Sequence, residues 1–160
     1  MAIKFYTTKD QWGCFSNFSR HAVKVDGKEY MTSEHYYQSQ KFATTDPAYA
    51  KEIAEAPNPK TAANLGREKR KPGMRQDWDK VKDDIMRKVV RLKFRQHPSA
   101  RKTLLSTGDE ELIEDTSTSG DDYWGYVAYN DESKKGVGKN MLGKILMEVR
   151  AELRKEYETE

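Results

Sequence analysis

The sequence predicts an α+β fold, mainly helical, with a small β-sheet. Three observations carry this. Apolar residues recur at helical spacing in two long stretches, one in the middle of the chain and one at its end. Two Asx-Pro pairs, Asp46-Pro47 and Asn58-Pro59, are helix start signals. Only a few short segments alternate apolar and polar residues as strands do. A length of 160 residues suits one domain around one core, predicted to run over 1–160.

The elements follow in order. "IKFY" alternates and reads as a short strand. "AVKVDGKEYM" reads as a hairpin whose Asp26-Gly27 pair supplies the positive φ angles of a two-residue turn. A helix is expected to start at Thr32 or Ser33. A second starts at Asp46-Pro47 and stops before Pro57. A third starts at Asn58-Pro59 and ends with Gly66 as its C-cap. A basic loop then leads to a long helix from about Asp77 to Gln96, with Val81, Ile85, Val89 and Leu92 as its apolar stripe. Pro98 punctuates. "ARKTLLST" is a short helix ended by Gly108, and "ELIED" a short strand or turn. The glycine- and aspartate-rich stretch after it reads as loop, with a strand expected through Tyr126 to Tyr129. A last helix from about Asn140 carries the stripe Leu142, Ile145, Leu146, Val149 and Leu153.

Composition narrows the function classes. The net charge of +3 admits an anionic ligand without marking a nucleic-acid binder. One cysteine, Cys14, excludes an internal disulfide and fits a reducing compartment. No apolar run approaches 18 residues and no leader pattern is present, so a soluble, cytoplasmic protein is expected, without a membrane partner.

Among groups that could carry chemistry, the three histidines, His21, His35 and His97, lack the close spacing of a metal site, and no metal or cofactor is expected. Cys14 beside Phe15 reads as a small core residue. "GVGKN" lacks the spacing and the hydroxyl of a phosphate loop. Glu34 has two readings. An acid in a first helical turn complements the helix dipole for about 0.3–1 kcal/mol. Yet Glu34, Gln38 and Lys41 fall on one helical face with Tyr37 beside them. Carboxylate, amide, ammonium and ring are poor core material and good pocket material. "SGDDYWG" places Asp121 and Asp122 before Trp124, which is either a loop plug or a stacking wall for a base. In "GCFSNF", Phe15 and Phe18 bracket Ser16 and Asn17, which suits a heteroaromatic ligand or a buried turn. "GREKRKPGMR" is a solvated loop or a phosphate clamp, with Arg67 at its head.

Taken together, "FSNF", "YMTSEHYYQSQKF", "NPKTAANLGR", "MRKVVRLKFRQHP", "LLSTG", "LIEDT", "DDYWG" and "GKNMLGKILMEVR" resemble, in order, the NADAR or YbiA-like family over about Phe5 to Leu153. The resemblance implies a YbiA-like fold and hydrolysis of an N-glycosidic bond. It implies a phosphorylated nucleoside-like substrate: a phosphoribosylamino-pyrimidine intermediate of riboflavin biosynthesis, or ADP-ribosylated guanine, with ADP-ribosylated DNA as a partner. By motif, Glu34 matches the family's acid in "SEH", Asp121 and Trp124 its "DxxWG", and Asn17 and Phe18 the end of "SNF". Arg67 matches the arginine after the short helix's glycine, and Asn140 and Gly143 the "GxNxLG" segment. The stretch "GYVAYNDESKK" after Trp124 is longer than the family's usual one, which leaves substrate choice open.

These residue types fit the chemistry. Breaking a ribosyl C1′–N bond builds positive charge on the sugar. Glu34 as a catalytic carboxylate, with Asp121, would stabilise that charge and take a proton from water. Asn17, Phe18, Tyr37, Lys41, Arg67, Trp124 and Asn140 are the expected substrate-binding residues. Two rival readings stand beside it: a binding module that senses NAD or ADP-ribose without cleaving it, and a nucleic-acid partner that uses the basic loop, whose affinity would fall steeply with salt. If Arg67 holds phosphate and Trp124 the base, Arg67→Ala will weaken binding of a nucleoside 5′-phosphate, mostly at low salt, and spare the nucleoside. Trp124→Ala will weaken both by about 1–3 kcal/mol. Titration of both ligands at two salt concentrations checks this; equal losses on Arg67→Ala would contradict it.

Overall fold

A computed structural model of the chain describes residues 2–68, 72–127 and 136–157. Two compact units emerge, one formed by Met1–Ser16 with Pro98–Glu160, the other by Asn17–His97. Mainly helical α+β architecture is present, with two small two-stranded sheets rather than one.

Strand β1 (Ala2–Phe5) belongs to the other unit, and the first strands of the central unit are the hairpin β2 (Val23–Val25) and β3 (Lys28–Tyr30). Asp26 and Gly27 have φ of 50° and 82°, the turn that "DG" predicts. Helix α1 (Ser33–Gln40) follows, with Thr32 as its N-cap accepting from the His35 N–H. Asp46 caps α2 (Pro47–Ala54) by accepting from Tyr49 N, and Asn58 caps α3 (Pro59–Gly66) by accepting from Thr61 N. Both prolines occupy the first helical turn, where no N–H is required. Phe42, Ala50, Ile53, Ala56 and Ala62 form one apolar cluster between these segments. Helix α4 (Trp78–Gln96) closes the unit and packs on α1 and β2.

Two expectations are corrected here. Gly66 is the last residue of α3 and Arg67 follows as C-cap, so the glycine does not terminate the helix in a left-handed turn. On α4 the buried face is Trp78, Met86, Val89, Val90, Lys93 and Phe94, whereas Val81, Ile85 and Leu92 are half-buried. The helix is apolar over more than one stripe, and tertiary packing selects the one rotated toward Met86 and Phe94.

In the other unit, β1 (Ala2–Phe5) pairs in parallel with β4 (Glu111–Glu114), Ala2 opposite Glu111 and Phe5 opposite Glu114. Helix α5 (Pro98–Ser106) ends before Gly108, whose φ is 60°. Helix α6 (Met141–Tyr157) buries Leu142, Ile145, Leu146, Val149 and Leu153, the stripe the sequence predicts. It also buries Gly143, where a Cβ would run into the Leu112 carbonyl and the Asn140 amide; only glycine lets α6 lie this close to β4. Tyr126 and Val127 form single bridges to Asp115 and Val137; the rest of the expected strand, at 128–129, lies outside the described residues. Among the described residues no helix is long and apolar enough to cross a membrane.

All three histidines sit in the central unit's interior or at its margin. His35 is fully buried; Nε2 donates to the Ala56 carbonyl at 3.0 Å, and Nδ1 accepts from the Thr32 hydroxyl at 2.8 Å. Burial lowers its pKa. His21, edge-on to His97 with 4.9 Å between ring centroids, is lowered to about 4, first by burial and then by Lys93 and His97. Both rings therefore take up a proton at lower pH in the fold than in the unfolded chain, which does so below about pH 6.5. Stability should fall as pH drops from 6.5 toward 4. The carboxylates held low, Asp77 and Asp115, act only below their ordinary 3.8. Urea midpoints at pH 7.5, 5.5 and 4.5 should decline in that order; a midpoint that is flat or rising toward pH 4.5 would contradict the burial of neutral histidines.

Candidate active site

Helix α1 is short, polar in composition and buried at seven of its eight positions, from Ser33 to Ser39. Most of its polar side chains are therefore held by specific partners. At its N-terminus, Glu34 N donates to the Asn17 carbonyl at 3.2 Å, and the Ser33 hydroxyl donates to Asn17 Oδ1 at 2.9 Å. Asn17 Nδ2 reaches the Met86 sulfur on α4 at 3.4 Å. The expected site residue Asn17 thus locks the first turn of α1 to the preceding loop. Phe18, next to it, is half-buried.

Glu34 is 5 % exposed, which no helix-capping acid needs to be. A buried carboxylate is costly unless nearby donors and cations offset its lost hydration. Gln38, one turn on, supplies one: its Nε2 donates to Glu34 Oε1 at 3.5 Å, a long bond. Gln38 Oε1 is buried with no hydrogen-bond partner among the described residues.

Lys41, the C-cap of α1, supplies the cation. Its side chain leans back along the helix, as helical side chains do. Nζ donates to the Gly66 carbonyl at 3.2 Å and lies 5.9 Å and 5.7 Å from the ring centroids of Tyr37 and Trp78. Burial lowers its pKa to about 8; the Glu34 carboxylate opposes that fall, and Arg67 and Lys82 add to it. The Gly66 contact is what the last turn of α3 requires, because its final carbonyls have no helical partner. Tyr49 Oη takes the neighbouring Leu65 carbonyl at 2.6 Å.

Gly66 is a glycine for packing reasons. A Cβ there would collide with Gln38 Oε1 and come within 2.8 Å of Gln38 Cβ. One residue thus lets α3 press on Gln38 and offer its carbonyl to Lys41. Arg67 is exposed beside it. Of the basic loop, residues 69–71 lie outside the described residues, and Arg75 is bound to Asp77 with Nε–Oδ1 of 2.6 Å.

Asp121, Trp124 and Asn140 belong to the other unit, where each has a local structural task. Asp121 Oδ1 accepts from Tyr123 N and Trp124 N, both at 3.0 Å, folding the loop into a tight turn. The carbonyls of Asp122, Tyr123, Trp124 and Gly125 accept from the N–H groups of Lys139, Met141, Leu142 and Asn140. The "DDYWG" loop is therefore the N-terminal cap of α6, a task the sequence reading missed because residues 15 or more apart carry it. Trp124 is half-buried, edge-on to Tyr123. Asn140 spends its amide on Glu114 N and the Leu112 carbonyl, tying α6 to β4. Trp78 and Gln38, by contrast, belong with Glu34 and Lys41 but were not expected as site residues; Gln38 stood on the predicted helical face. Among the described residues no three His, Cys, Asp or Glu side chains cluster as a metal site would.

The geometry generates one prediction. Gly66→Ala should destabilise by about 1–3 kcal/mol, the cost of overpacking, and should shift the Lys41 contact. Urea unfolding checks it; unchanged stability would show that Gln38 moves aside freely.

Comparison with known proteins places this arrangement. The NADAR domain model matches residues 4–154, across both units. The N-glycosidase YbiA of Escherichia coli K12 is 46 % identical over 151 residues, 94 % of this chain and 88 % of that protein. Its NMR structure matches with a TM-score of 0.82 and 44 % identity, covering 99 % of this chain and 88 % of the other. The N-glycosidase Npun_R5314 of Nostoc punctiforme is 44 % identical, over 96 % of this chain and 94 % of the relative. The chloroplastic riboflavin biosynthesis protein PYRR of Zea mays is 36 % identical, over 94 % of this chain and 25 % of that longer protein. With a buried Glu34 and its Gln38–Lys41 surround set in a chain matched almost end to end, the protein is a member of the NADAR family.

Proposed function

We propose that this chain hydrolyses the C1′–N bond of a phosphorylated, nucleoside-like N-riboside, with Glu34 as the catalytic carboxylate. The reaction class is supported by relatives named N-glycosidases at 44–46 % identity. The observation that carries the residue assignment is a carboxylate only 5 % exposed, fixed at the first turn of α1 with an amide and a lysine facing it.

The chemistry runs as follows. As the C1′–N bond lengthens, positive charge spreads over C1′ and the ring oxygen. A carboxylate out of bulk water stabilises that charge more strongly than a hydrated one would. It also takes the proton of the attacking water as the new C1′–O bond forms. Gln38 Nε2 donates a long bond to one oxygen of the carboxylate. Arg67, exposed after α3, is the phosphate contact in this reading. In it Asp121 and Asn140 are positioning residues, since their side chains already hold the backbone of their own unit. The maize relative, of which this chain matches 25 %, is named for riboflavin biosynthesis, so a phosphoribosylamino-pyrimidine is the first substrate to test.

Glu34→Gln keeps the shape of the residue and one acceptor oxygen for Gln38, and removes the base. Base release from a phosphoribosylamino-pyrimidine, followed by chromatography, should fall by about 10²–10⁴-fold with the fold intact by circular dichroism. Turnover near that of the wild type would leave Glu34 as a residue of the helix start alone.

A further inference from the structure

Cleavage of an N-riboside needs two proton transfers, and Glu34 accounts for one. An amino nitrogen attached to a heterocycle leaves poorly as an anion, so it must gain a proton as the bond to C1′ breaks. Resting on the N-glycoside reading above, we propose that Lys41 is the general acid that protonates the leaving nitrogen.

The geometry selects it. Lys41, the C-cap of α1, follows Glu34 by seven residues, the spacing of one helical face, and its Nζ lies 5.9 Å from the ring centroid of Tyr37, one turn earlier. Its ammonium has three N–H donors, and the Gly66 carbonyl takes one. It is half-buried, so it is partly withdrawn from water without being sealed in the core. The faces of Tyr37 and Trp78 stabilise it as a cation. The charged groups that face it are Glu34 on its own helix, Arg67 after α3 and Lys82 on α4. The carboxylate favours the proton; the two cations and burial oppose it. The balance leaves a pKa of about 8, where an ammonium is both charged at neutral pH and willing to give its proton up. A carboxylate and an amine with separated pKa values in one site divide the base and acid roles between them.

The step balances. The Lys41 ammonium gives one proton to the leaving nitrogen, which keeps the electron pair of the breaking C1′–N bond and departs as a neutral amine. Water attacks C1′ and loses one proton to Glu34. The products are the free base and the C1′-hydroxyl sugar. Lys41 is left neutral and Glu34 protonated, and a proton passing from the second to the first restores the starting state.

The test is the pH dependence of kcat/KM for a phosphoribosylamino-pyrimidine between pH 6 and 10, in the wild type, Lys41→Arg and Lys41→Ala. The wild type should lose activity as pH rises through about 8. Lys41→Arg keeps a cation for Gly66 but cannot release its proton in this range. It should lose about 10²–10⁴-fold in kcat, with KM changed only a few-fold, and its profile should have no limb near pH 8. Lys41→Ala should regain activity in proportion to added methylammonium. A Lys41→Arg enzyme with wild-type rate and profile would overturn the assignment. So would a sugar found covalently on Lys41 after borohydride reduction, since that makes the amine a nucleophile. A wild type that releases no base from any N-riboside probe would overturn the N-glycoside reading, and this proposal with it.

Discussion

A polar helix buried on every side is the constraint on which the rest of the central unit depends. Helix α1 contributes Tyr36 and Tyr37 to the core, but also Ser33, Glu34, His35, Gln38 and Ser39. An unmatched buried polar group costs about 1–3 kcal/mol, so five of them would exceed the stability margin of an ordinary domain. Partners within α1 and around it meet that demand for most of these groups. The loop at Asn17 takes the first turn, Thr32 and the Ala56 carbonyl take the two nitrogens of His35, and the Ser39 hydroxyl returns to the Tyr36 carbonyl. Helices α2, α3 and α4 and strand β3 all pack against α1. Together they form the shell in which α1 is buried.

In the proposed function the same burial prepares the chemistry. A carboxylate at a solvated helix start is a weak, hydrated base. In the proposed reaction, a carboxylate removed from water and bonded to Gln38 meets a developing sugar cation without a hydration shell to shed. The end of α3 completes the arrangement from the opposite direction. Gly66, with no side chain, brings a helix-terminal carbonyl to the Lys41 ammonium and leaves room for Gln38. In the other unit the loop of Asp121 and Trp124 satisfies the N-terminal amides of α6, and Gly143 lets that helix lie on β4. Family motifs that look like site residues in one dimension therefore include some whose visible task is to hold backbone.

Local signals were legible in the sequence. Thr32, Asp46 and Asn58 cap the helices they were expected to cap, and Asp26-Gly27 makes its turn, because each depends on residues within three or four positions. The stripe of α6 was legible because its apolar residues fall on a single face. What failed depended on contacts between distant positions. Gly66 near the end of a helix has the look of a C-cap, and nothing local shows that Gln38, 28 residues earlier, needs the space. On α4, apolar residues spread over more than one face, so the choice of Met86 and Phe94 over Val81 and Ile85 belongs to the partners. Glu34 and Lys41 were singled out from helical spacing, but the carbonyl and rings that set the lysine's state come from α3, from α4 and from α1 itself. His35 gave no warning of its structural role, because its two partners are a hydroxyl three residues back and a carbonyl 21 residues on.

The central claim is that water attacks the sugar carbon rather than the base. Hydrolysis of a phosphoribosylamino-pyrimidine in ¹⁸O-labelled water, quenched early and read by mass spectrometry, tests it most directly. The account predicts one ¹⁸O in the released sugar phosphate and none in the base. Label in the base, with the nitrogen left on the sugar, would contradict it.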